Sequence, residues 1–145
     1  MSVPYRYLED LAPADAAFEA WGETLEEMLL SASDATLNIM VGDLQAIRPC
    51  HCRQFRLEEA EIDLLLFQLL QELIYYKDAE QLLLRVRSVQ MLRGDSSWSA
   101  LVEAAGETID PERHDLIVDI KAVTLYRLQV RQIPDGWEAT VVVDV

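Results

Sequence analysis

The chain has 145 residues, with 12 Lys+Arg against 26 Asp+Glu and a formal charge of −14. That length predicts one domain over residues 1–145, and a hydrophobic content of 51% supplies a real core and excludes wholesale disorder. So negative a surface repels phosphate backbones and anionic lipid, so neither direct nucleic-acid binding nor membrane binding is expected, while metal cations and basic protein surfaces stay open as partners.

The N-terminal run Met1-Ser2-Val3-Pro4-Tyr5-Arg6-Tyr7 lacks a basic-then-apolar leader pattern, and two cysteines make no disulfide framework. A soluble, cytoplasmic protein is the expectation. Short strands are predicted near residues 15–21 and 51–57. Between them Thr24 and Glu27 have capping-box spacing, and Leu25, Met28, Leu29, Ala32, Thr36 and Ile39 recur at helical spacing to about Met40. Gly42 is expected to close this helix as a C-terminal glycine. A second helix is predicted over about residues 61–77. It is apolar around most of its circumference and is expected in the middle of the fold, covered on most sides. Asp63, Gln68, Gln71 and Glu72 interrupt it, so it does not read as a membrane span.

Residues 82–93 read as a strand whose phase slips between Val86 and Val89, which predicts a bulge. A turn at residues 94–97 leads to a second strand through Trp98, Ala100, Val102 and Ala104. Asp110-Pro111-Glu112-Arg113 joins a capping residue to a proline and predicts a single helical turn. Leu116, Val118, Ile120 and Ala122 alternate and predict another strand. Two final strands, about residues 124–133 and 137–145, are joined by Pro134-Asp135-Gly136. The fold class is α+β: two helices packed on a mostly antiparallel sheet.

Most catalytic signatures are absent: there is no glycine-rich phosphate loop, G-x-S-x-G elbow or H-E-x-x-H pair. Cys50-His51-Cys52 alternates faces along a strand and lacks a second ligand pair, so it reads as two buried thiols beside an exposed imidazole. His114 follows the predicted helical turn, where it either caps the turn or orients a partner, and Lys121 stands in an otherwise apolar strand. The carboxylates say more. Asp15 opens a strand and Asp144 closes the run Val141-Val142-Val143. With terminal oxygens at Val145, this pattern suits a hard divalent cation such as Ca²⁺, Mg²⁺ or Mn²⁺. Such a site requires Asp15 and Asp144 to meet in space.

Asp110-Pro111-Glu112-Arg113-His114-Asp115-Leu116, Lys121-Ala122-Val123-Thr124 and Val141-Val142-Val143-Asp144-Val145 together resemble, in order and spacing, the archease family. Tyr7-Leu8-Glu9, Ala14-Asp15 and Ala20-Trp21-Gly22 fit it more loosely. The resemblance implies a compact α+β protein that is not itself an enzyme. It implies a protein cofactor that promotes guanylylation and multiple turnover of an RtcB-type RNA ligase in tRNA splicing and RNA repair. It also implies a divalent-ion site at Asp15, Asp144 and Val145, while His114 and Lys121, by their own positions, are the partner-binding candidates. Two family histidines are replaced here, by Ala12 and Tyr126. The rival expectations are a metal-independent chaperone or adaptor for an RNA-processing protein and a metal-dependent hydrolase.

Overall fold

The computed structural model describes residues 4–9 and 15–145. Five strands make one sheet. Its backbone is the antiparallel pair β2 (Asp15–Gly22) and β8 (Gly136–Asp144). β1 (Tyr5–Leu8) flanks β2, while β6 (Ala122–Val123) and β7 (Gln129–Ile133) both pair with β8. A second antiparallel sheet has the order β3 (His51–Glu59), β5 (Trp98–Thr108), β4 (Leu82–Arg93). Helices α1 (Leu25–Met40) and α2 (Ile62–Glu80) share one apolar core with these sheets.

Alternation decides what each strand buries. Phe18, Ala20, Val141 and Val143 point into the core, and Glu19 and Thr140 pair on the opposite face. The helix α1 starts where Thr24 accepts the Glu27 N–H at 3.1 Å. Glu27 in turn accepts from Glu23 N–H at 2.9 Å, one residue before the expected capping-box partner. Met28, Leu29, Ala32 and Ala35 then form its buried stripe. Tyr7 and Tyr5 of β1 tie down the far side, donating hydroxyl hydrogen bonds to the Ala35 carbonyl (2.7 Å) and to Asn38 (3.1 Å).

Several expectations need correction. The α1 helix ends by turning extended at Val41, not through a left-handed glycine, and Gly42 instead donates its N–H to the Asp115 carbonyl at 2.8 Å. The α2 helix runs three residues past its predicted end, to Glu80, and is closed by Gln81 in the left-handed conformation (φ 56°). It buries one broad face through Leu65, Leu66, Leu69, Leu70 and Leu73, but leaves Leu64 and Tyr75 exposed. It is therefore a layer on the sheets, not a central rod. No strand forms over residues 116–121. Leu116 makes a single bridge to Val41, and only Ala122 and Val123 join the sheet. The strand predicted from residue 124 begins at Gln129, because Arg127 takes a positive φ of 58° and Leu128 N–H closes a turn on the Leu125 carbonyl. Cys50 and Cys52 are both exposed: Cys50 precedes β3, and Cys52 shares the outward parity of Gln54 and Arg56 while Phe55 and Leu57 turn to the core. The bulge falls where the phase slips, between Val86 and Ser88. Among the described residues no helix is long and apolar enough to cross a membrane.

Candidate functional site

The β2–β8 register sets Asp15 directly opposite Asp144, although 128 residues of chain lie between them. Cross-strand partners have Cβ atoms about 4.5–5.5 Å apart on the same face, so the two carboxylates are neighbours. Both residues are half-buried. Neither carboxylate has an ion-pair or hydrogen-bond partner among the described residues. Two like charges facing each other without a counter-ion destabilise a strand pair, and a cation between them would remove that cost. The donor set fits a hard ion.

The surroundings are equally specific. Lys121 donates its N–H to the Asp144 carbonyl at 2.8 Å, and Ala122 sits across from Asp144 on the next strand. The Lys121 side chain is exposed. Val145 is half-buried and packs against the core. Ala12, the position of one replaced histidine, lies outside the described residues, and the other replacement, Tyr126, is exposed. Among the described residues no group of three His, Cys, Asp or Glu side chains is arranged to hold a metal. Two carboxylates converge here, and a third does not.

His114 belongs to a different constellation. Its ring is buried, and Nδ1 accepts the Asp110 N–H at 2.9 Å. The proton therefore sits on Nε2, which donates to Glu107 Oε1 at 2.8 Å. The same oxygen accepts Arg48 N–H at 2.9 Å and pairs with Arg113, whose other nitrogen donates to the Ala46 carbonyl at 2.7 Å. Burial alone would raise the Glu107 pKa, but the Arg113, Arg48 and His114 hydrogen bonds outweigh it and hold the carboxyl down to about 2. This cluster clamps the segment after α1 to β5 and to the 110–114 turn. Its sequence signal was only the Asp110 turn, because Glu107 and Arg48 carry no motif.

A third ionic contact holds the intervening segment. Lys77, buried near the end of α2, donates to the Ile120 carbonyl at 2.9 Å and pairs with Asp119 and with Asp78 (2.6 Å). Burial works against its charge, yet the two aspartates keep its pKa above the usual lysine value. Residues 119–121 are thus pinned beside Asp144.

The profile of the archease protein family (MTH1598/TM1083) matches residues 5–145. The chain belongs to the archease family. Its similarity to individual members is distributed along the whole length. It is 34% identical to the archease of Methanosarcina acetivorans over 144 residues, covering 97% of this chain and 95% of that one. The solution structure of Methanobacterium thermoautotrophicum protein 1598 superposes with a TM-score of 0.85 at 26% identity, covering 99% of this chain and 100% of that one. The crystal structure of a Thermotoga maritima archease, described as a possible chaperone, is 17% identical with a TM-score of 0.56 and 97% and 99% coverage. At that identity the second likeness speaks for the archease fold alone.

Proposed function

We propose that this archease-family protein is a non-enzymatic activator of an RtcB-type RNA ligase, with a divalent ion (Ca²⁺, Mg²⁺ or Mn²⁺) held by Asp15 and Asp144 with help from Val145. The observation that carries the ion is the facing pair of partnerless carboxylates. Family membership and the −14 charge support a cytoplasmic protein partner with a basic cleft. When bound, such an ion supplies charge neutralisation for phosphoryl groups. The chain's own part is positional. The β2–β8 register presents both carboxylates at one sheet end, and the Lys121 N–H fixes the Asp144 backbone through its carbonyl. With few ligands from the protein, water completes the shell, since calcium takes roughly 6–8 oxygens. Binding is therefore weak and the fold does not depend on it.

The test is multiple-turnover ligation by a purified RtcB-type ligase with and without this protein, alongside calorimetric titration of the protein alone with CaCl₂ and MnCl₂. Stimulation by the native chain, lost in Asp144→Ala together with the titration signal, is the expected result. Stimulation that survives Asp144→Ala would replace this reading with the metal-independent chaperone or adaptor. That second reading draws support from the absence, among the described residues, of any three-ligand group.

A further inference from the structure

Leu116, Ile117 and Val118 are exposed by 43%, 61% and 41%. Scattered exposed apolar residues are ordinary; three branched or leucine side chains in succession, flanked by the exposed Asp115 and Asp119, are not. Leu116 and Val118 belong to an alternation that would suit a strand, yet no sheet takes the segment in. Ile117 gives its N–H to the Met40 carbonyl at 2.9 Å, and Leu116 bridges Val41. The segment is nevertheless fastened on both sides. Gly42 N–H holds the Asp115 carbonyl at 2.8 Å, and Lys77 holds the Ile120 carbonyl at 2.9 Å as well as the Asp119 carboxylate. Ile117 and Val118 also line a shallow cleft with Tyr7, Leu8 and Asp15, which joins the ridge to the carboxylate pair.

We infer that this ridge is the docking surface for the protein partner, and that it enters an apolar pocket rimmed by lysine and arginine. The inference rests on the activator reading and deepens it. Charge selects the occupant. Asp115 flanks the apolar residues and Asp15 shares their cleft, neither with an ion-pair partner among the described residues, while Asp119 is paired with Lys77. A basic rim is therefore attracted and nucleic acid is repelled. A second copy of the chain brings a further −14 and is repelled too. The fastening matters as much as the exposure: a ridge already held in place loses little conformational freedom when it docks. Docking there also sets the Asp15–Asp144 pair against the partner, because the cleft joins the two.

The test uses the full chain and a purified RtcB-type ligase, comparing the native protein with Ile117→Ser/Val118→Ser, Ile117→Lys and Asp144→Ala. For both ridge variants the concentration giving half-maximal stimulation should rise at least tenfold while stimulation at saturation is kept. Asp144→Ala should show the reverse: no stimulation of its own, but competition with the native protein for the ligase at native half-saturating concentrations. All three should match the native far-ultraviolet circular dichroism. If a folded ridge variant keeps native half-saturation, the ridge is not the docking surface and the activator reading survives. If the native protein neither binds nor stimulates the ligase, the activator reading fails and takes this partner with it. If light scattering shows a native dimer that the ridge variants dissolve, the ridge is a self-interface and the inference is overturned.

Discussion

Glu107 and Asp144 are both carboxylates at the far end of long strands, yet the molecule treats them in opposite ways. Glu107 is buried and receives hydrogen bonds from Arg48, Arg113 and His114. Asp144 faces another carboxylate and has no side-chain partner among the described residues. Three donors converge on Glu107 Oε1 and tie that carboxylate into the scaffold. A carboxylate set against its own kind carries a standing cost, and stability does not explain keeping it. By this contrast the Asp110 to His114 motif builds the frame, and the aspartate pair is what the frame presents.

Breaking the closed cluster should produce the largest change in stability. His114→Ala takes one donor from the buried Glu107 and leaves the Asp110 N–H, in a part-buried turn, without its acceptor. Chemical denaturation should show a loss of about 1–3 kcal/mol, the usual cost of stranding buried polar groups. A loss under half of that would mean water replaces the ring.

The pH dependence sharpens the contrast further. Glu107 is held at about 2 in the folded protein, against an ordinary value of 4.5. A depressed folded value means its stabilising effect is complete above the unfolded pKa and is lost as pH falls towards the folded one. Denaturation midpoints should therefore drop between pH 4.5 and 2 in the native chain. Glu107→Gln should start less stable and lose the part of that slope due to this residue. Identical slopes in both proteins would assign the acid sensitivity to other carboxylates.

Local signals carried much of this architecture. Thr24 and Glu27 announced the start of α1, the Val86–Val89 phase slip announced the bulge, and Pro134-Asp135-Gly136 announced the last hairpin. Where alternation misled, at residues 116–121, the reason is physical. Alternation records which side chains prefer one face, and it does not say whether a neighbouring strand is available to pair. Here the backbone of the segment is claimed by Met40, Gly42, Lys77 and Asp144. The exposure of the cysteines has a related reason, since which parity of β3 meets the core is a property of the tertiary packing. Asp15 and Asp144 were legible as candidates, each at the end of an apolar run. Their facing register depends on the β2–β8 pairing and could be drawn from sequence only as an expectation. Of the Glu107 cluster only the Asp110 turn and His114 were legible, because Arg48 and Glu107 come from two other segments and carry no motif.

The smallest expected effect is the most diagnostic. In chelator-treated protein, Asp15→Asn and Asp144→Asn should each leave stability unchanged or raise it, by about 0.2–1 kcal/mol, since either one relieves the facing charges. The double variant should gain little more, because the repulsion is already gone after the first substitution. That non-additivity is the signature of a direct pair and separates it from general relief of the −14 charge, which would add independently. Raising the salt concentration should shrink the coupling, as both residues are only half-buried. Millimolar Ca²⁺ or Mn²⁺ should then reverse its sign: with a cation between the carboxylates, each contributes to binding, and losing either one costs stability through linkage. A coupling that keeps its sign in every cation would mean the pair is a tolerated repulsion with no ion to resolve it, and the contrast with Glu107 would reduce to one between buried and half-buried charge.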